Sequence, residues 1–179
     1  HNRKLVVGLS VVLFFLVLAI VGPLFTSGDP FAFDAPLGEP PSRDYWLGTT
    51  SSGQDVFAQF VYGLRASFVV GALAALVAGV LGMAIGFVGG YFGGVVDDLL
   101  SMATNIVLVI PTLAVLIIVA AYLEVGSLKA EAILIGLTSW PWAARAIRAQ
   151  TFSLAARDFV SLARLSGRGT FRVIVNEIA

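Results

Sequence analysis

Four stretches of the chain stay apolar long enough to cross a bilayer, each near the roughly 20 residues that a membrane helix needs. They are Leu5 to Phe25, Ala66 to Gly90, about Leu99 to Leu123, and about Ala130 to Ala146. The last is the weakest and contains Pro141, which a membrane helix tolerates because neighbours satisfy the freed carbonyl. Arg3 and Lys4 precede the first run as they would in a signal peptide. That run is longer than the usual signal core, and no small-x-small site follows, so the reading is an uncleaved helix. Between the first two runs, turn residues lead into Val56, Phe57, Phe60 and Val61 at helical spacing. This predicts a loop feeding a short helix at the membrane interface, with Trp46 and Tyr62 as anchors.

The closing stretch, Asp158 to Ala179, breaks the apolar pattern. Asp158 suits the N-cap or first turn of a short helix. Phe159, Leu162, Ala163 and Ser166 give that helix one narrow apolar side. Gly167 or Gly169 can take a positive φ and end it, and Phe171 to Ile178 starts another apolar run. Two roles fit such a helix: lying in a groove on a partner, or lying on an anionic lipid surface.

Composition places the chain in the membrane class, with 58% hydrophobic and 12% charged residues and a mean hydropathy of +0.94. The fold class is therefore an all-α membrane protein, a polytopic helical bundle. Its parts are a tail and first helix over 1–26, an external segment with an interfacial helix over 27–65, helices two to four over 66–157, and a cytoplasmic loop leading into a next helix over 158–179. Basic residues set the sidedness. Arg3 and Lys4 lie before the first span, and Arg145, Arg148, Arg157, Arg164, Arg168 and Arg172 lie at or after the end of the fourth. Four crossings return the chain to its starting side, so both basic regions, and the N-terminus, are expected in the cytoplasm. The second span repeats Gly71, Ala75, Gly79, Gly82, Gly86 and Gly90 at spacings of four or three. One small-residue face of this kind lets another helix backbone approach closely, although glycine and alanine are also simply frequent in membrane helices.

Several chemistries are excluded. There is no cysteine, the single histidine is His1, and no Gly-x-x-x-x-Gly-Lys-Ser/Thr loop is present. Thiolate sites, Ser/His/Asp catalysis and ATP binding of the usual type are absent accordingly, and no cluster has metal-ligand spacing. A net charge of zero gives nucleic-acid binding no overall support. The span centres carry no ionisable side chain. Asp97, Asp98 and Glu124 at the span ends read as solvated interfacial charges, and Thr104 and Asn105 as groups for hydrogen bonds between helices.

The segment "LGTTSSGQDVFAQFVYGLRASF" resembles the Leu-Gly-Thr-Asp-x-x-Gly-Arg-Asp-Val…Tyr-Gly-Ala-Arg-x-Ser-Leu signature of dipeptide/oligopeptide/nickel ABC-transporter permeases, of the type with a short external segment. Leu47, Gly48, Thr49, Gly53, Asp55, Val56, Tyr62, Gly63, Arg65 and Ser67 match, while Thr50 replaces the family's Asp and Gln54 its Arg. "GGYFGGVVDD", the proline of "VLVIPTLAVL" and "WPWAARAIRAQTFSLAARDFVSLAR" are also similar to the family. The closing stretch resembles its "EAA" loop, Glu-Ala-Ala-x-x-x-Gly with an Ile-x-x-Pro ending. Ala163, Gly167 and Ile178 fall on that pattern, with Ser161 in place of the Glu and Leu162 in place of the first Ala.

The resemblance implies a bundle of the ABC importer permease type in the bacterial inner membrane, with short cytoplasmic coupling helices. The partners it implies are a second homologous permease subunit, two ATPase subunits carrying ATP-Mg, membrane lipid and an extracytoplasmic substrate-binding protein. This chain would be a non-enzymatic transport subunit binding no cofactor, moving peptides or a similar small solute such as nickel. Its ATPase-coupling residues would be Asp158, Ser161, Leu162, Ala163, Arg164, Gly167, Arg168 and Gly169. The missing initiating Met and the stop just before the family's proline imply a piece of a six-helix protein, with two spans beyond Ala179. A secondary carrier or channel, or a membrane scaffold without transport, are the rival readings.

Overall fold

The computed structural model describes residues 3–26, 29–122 and 127–178. Glu124 and the end of the third expected span lie outside them. The described residues divide into two units, 1–69 and 70–179, and helix α2 (Val56–Phe92) belongs partly to each.

In the first unit, α1 (Arg3–Val21) tightens into a 3-10 turn over Gly22–Phe25, where Pro23 ends the regular helix. α1 runs antiparallel to the first turns of α2. Phe15 meets Phe60 with ring centroids 6.5 Å apart, and Gly22 lies so close to the buried Val61 that a Cβ there would sit 2.7 Å from Val61 Cγ1. The expected interfacial helix is not a separate element. Nothing in Val56 to Phe92 breaks helical geometry, so its apolar residues are the opening turns of one 37-residue helix.

In the second unit, Gly93 and Gly94, both with positive φ, turn the chain from α2 into α3 (Gly94–Val109). The third expected span is not one helix. Pro111 lacks an N–H and pushes Ile110 into extended geometry (ψ 126°), and α4 (Thr112–Tyr122) leaves at 75° to α3. α5 (Leu128–Ala155) is capped by the Ser127 hydroxyl, which accepts from Ala130 N–H at 3.3 Å, and carries Pro141 buried inside it. Two short elements follow, α6 (Asp158–Leu165) and α7 (Thr170–Val173), the latter passing into a π-helical turn over Ile174–Ile178.

α2 and α5 run in the same direction. A Cβ built on Gly136 would lie 2.6 Å from Val77 Cβ, on Gly82 2.5 Å from Ala143 Cβ, on Gly86 2.9 Å from Ile147 Cβ, and on Gly90 2.6 Å from Thr151 Cβ. Both sequence numbers rise together, so the helices are parallel and their backbones nearly touch. The chain between them must then travel back along their length. α3 does so in antiparallel order, with Asp97 beside Arg148 and Asn105 beside Arg145.

Among the described residues, two helices are long and apolar enough to cross a membrane, α1 with its 3-10 turn and α2, or three if α3 and α4 form one bent span. α5, the fourth expected span, is a helix but does not qualify on composition. Lys129, Glu131, Arg145 and Arg148 lower its hydropathy. Such positions are tolerated where neighbouring helices cover and pair them.

Candidate functional site

Two places gather the residues singled out by sequence. The first is the segment before α2. Gly48 and Gly53 take φ values of 75° and 77°, and the chain folds back on 35–39 through hydrogen bonds from Thr49 N to Glu39 O (2.9 Å), Gly38 N to Thr50 O (2.9 Å) and Ala35 N to Gly53 O (3.0 Å). Thr49 is buried, and its hydroxyl donates to Pro36 O and accepts from Glu39 N–H. Asp55 caps α2 by accepting from Phe57 N–H at 2.8 Å. Trp46 packs between Phe25 and Phe57, with centroids 6.2 and 5.0 Å away. Leu47, Tyr62, Gly63 and Arg65 are exposed. The departure at Thr50 is chemically mild: its hydroxyl accepts from Gln54 N–H at 3.0 Å, closing the turn that an aspartate would close. Gly48→Ala is expected to cost about 2 kcal/mol or more, because it combines left-handed backbone with a Cβ 2.5 Å from Glu39 O. Limited proteolysis at 35–55 checks it, and an unchanged cleavage rate contradicts it.

The second place is the α6 to π-turn segment. Arg157 occupies the N-cap position in extended geometry, and Asp158 is the acid of the first turn. α6 is anchored by Val160 and Ala163, which join Val173 and Ile178 in a small core against Phe87, Tyr91, Leu154 and Ala155. Most of the expected apolar side lies outside that core. Of Phe159, Leu162, Ala163 and Ser166, only Ala163 is buried, while Leu162 is 63% exposed. α6 therefore has two apolar faces, an inner one held by its own chain and an outer one carrying Phe159, Leu162 and Leu165. A one-sided pattern search finds the outer face and misses Val160. Phe159, Leu162, Ser166, Arg168 and Glu177 edge a shallow depression on that outer side.

Gly167, not Gly169, supplies the positive φ (77°). Gly167 N–H donates to Arg164 O and Arg168 N–H to Ala163 O, at 3.0 and 3.3 Å, the paired bonds of a Schellman ending. Gly169 has φ −64° and begins α7. Ser161 is exposed. Arg164 turns back over the Tyr91 ring at 4.3 Å, and Arg168 pairs with Glu177.

Sequence reasoning missed a third feature. Asp97 is not a solvated charge but 6% exposed, with both carboxylate oxygens taken by Arg148 Nε and Nη2 and with Ser101 Oγ at 3.4 Å. Asn105 accepts from Arg145 Nη2 at 2.7 Å. Among the described residues Thr104 bonds only within its own helix, to Leu100 O. Around this polar seam lies a cavity of about 150 Å³. Its signal in the sequence was the pairing of two acids at 97–98 with arginines at 145 and 148, but only folding brings these positions together.

Comparison with known proteins decides the family. Residues 82–179 match the binding-protein-dependent transport system inner membrane component. The chain belongs to this family. The binding-protein-dependent transport components that it is similar to include the dipeptide transport system permease protein of Alkalihalophilus pseudofirmus, 33% identical over 99% of this chain and 58% of the relative. The nickel transport system permease protein of Escherichia coli K12 is 31% identical over 96% of this chain and 62% of the relative. The oligopeptide transport system permease protein of Bacillus subtilis is 29% identical over 99% and 58%. The chain thus spans about three-fifths of the length of these relatives. Family membership and the apolar helices make it a multi-pass inner-membrane protein. The family match takes in the end of α2, the Asp97 seam and all of α6, while the segment before α2 is covered by the relatives alone.

Proposed function

We propose that this chain is a permease subunit of an ATP-driven, binding-protein-dependent importer, forming half of a solute path with a second, similar subunit. The observation that carries this is the two-faced α6. Val160 and Ala163 fix it to α2 and α5, and the same short helix presents Phe159, Leu162 and Leu165 outward. A helix whose outer side is left uncovered among the described residues fits a groove on a partner. In this reading the partner is one of two ATPase subunits that bind ATP-Mg, and this chain holds no cofactor and catalyses nothing. α6 and the N-terminus face the cytoplasm, and the stitched segment before α2 faces the substrate-binding protein. The relatives' names favour peptides as cargo, with nickel as the second class.

Phe159→Asp combined with Leu162→Glu is expected to leave the membrane fold intact, since both side chains are already exposed. The same pair should reduce recovery of the ATPase subunits with the full-length permease more than tenfold. Recovery at the wild-type level would contradict the docking role. A secondary carrier predicts uptake by the two membrane subunits alone. The buried Asp97 does not favour it, because Arg148 already satisfies that carboxylate.

A further inference from the structure

We propose that α3 and α4 form a limb that swings about Gly93–Gly94, and that Asp97 and Arg148 are the catch holding it against a rigid block of α2, α5 and α6. The proposal rests on the importer reading and adds to it which helices move and what holds them.

The contacts within the unit are of two physical kinds. α2 and α5 meet backbone to backbone through Gly82, Gly86, Gly90 and Gly136, where a Cβ would lie 2.5–2.9 Å from the facing helix. Packing that close has no alternative register within reach, so those helices move together. α6 follows α5 after only Ala156 and Arg157, and its buried residues lock it to Phe87 and Tyr91 of α2. A displacement of α6 is therefore a displacement of the whole block.

α3 is attached differently. Its covalent link to α2 is two glycines with φ 64° and 54°, and a Cβ on either would meet nothing within 4 Å. That joint is open and free of side chains. α3 packs beside α5, and among the described residues the side-chain bonds that cross between them are the Asp97–Arg148 pair and the Asn105–Arg145 bond. Hydrogen bonds of this sort can be exchanged for water or for new partners, whereas glycine-tight packing cannot. Arg148 is suited to a catch because its side chain is 40% exposed while that of Asp97 is 9% exposed. The arginine has solvent to move into, and the carboxylate stays oriented by Ser101. Asp97 and Arg148 are positioning residues; they need not touch the solute.

The test uses the complete transporter in nanodiscs, with every subunit freed of reactive cysteine; the 179 residues of this sequence contain none. Spin labels at Val109 and Gln150 report the limb against the block, and labels at Val80 and Gln150 report the block itself. A non-hydrolysable ATP analogue is expected to shift the first distance and leave the second unchanged. Asp97→Asn should populate the shifted distance without nucleotide and lower the solute moved per ATP about tenfold. Exchanging the charges, Asp97→Arg with Arg148→Asp, should restore part of that ratio and return the first distance toward its nucleotide-free value. Gly94→Ala keeps the pair but stiffens the joint, and should diminish the nucleotide-driven shift in an assembled complex. A Val109–Gln150 distance that stays fixed while uptake is ATP-dependent overturns the limb and leaves the importer intact. Asp97→Asn with both distances and the coupling ratio unchanged overturns the catch. Uptake that needs no ATP overturns the importer reading itself, and the proposal with it.

Discussion

Gly86→Leu is expected to separate α2 from α5. A Cβ at this position would lie 2.9 Å from both Ala144 O and Ile147 Cβ. The first of these is backbone and cannot rotate away, so the whole leucine side chain has to be accommodated by moving a helix. Overpacking of well-fitted interiors costs about 1–3 kcal/mol and sometimes more, and a backbone obstacle puts this case at about 3 kcal/mol or above. Thermal unfolding of the purified chain in detergent measures it. Gly71→Leu is the informative companion. It lies on the same stripe by sequence, yet a Cβ there meets nothing within 4 Å, so its effect should stay within about 0.5 kcal/mol. Equal losses at both positions would mean that the α2–α5 contact is not what the stripe is for.

The second large effect is at the polar seam. Arg148→Met should destabilise the chain by about 3 kcal/mol, because it strands a buried carboxylate with one weak hydroxyl partner. Adding Asp97→Asn to that variant removes the stranded charge and should recover most of the loss, to within about 1 kcal/mol of the parent. The four-cornered cycle gives the coupling directly. Losses that simply add would show that the two side chains do not depend on each other, and would remove the catch along with the stability argument. The partial exposure of Arg148 keeps the expected figure at the lower end of what a fully buried pair gives.

The elements and their types were readable from apolar run lengths because a bilayer imposes its thickness on any helix that crosses it. α1 appears where Leu5 to Phe25 predicted it. Boundaries were less readable. The interfacial helix and the second span share one helix because nothing between Val56 and Phe92 interrupts the backbone. The third span bends because Pro111 removes a hydrogen bond and Ile110 cannot stay helical before it. The end of α6 was half legible: sequence offered two glycines, and the hydrogen bonds from Gly167 and Arg168 back to the last turn selected one of them.

Sequence alone determined the class of molecule, the approximate places of the helices, and the two segments with a family signature. Those follow from local chemistry: hydropathy over a run of residues, and the residue types and spacing of two short motifs. Tertiary structure alone decided which side of α6 is spent on its own chain, which half of the glycine stripe meets α5, and that Asp97 is buried against an arginine 51 positions away. Each of these depends on which surfaces end up facing one another, and periodicity along a single helix carries no information about what stands opposite it.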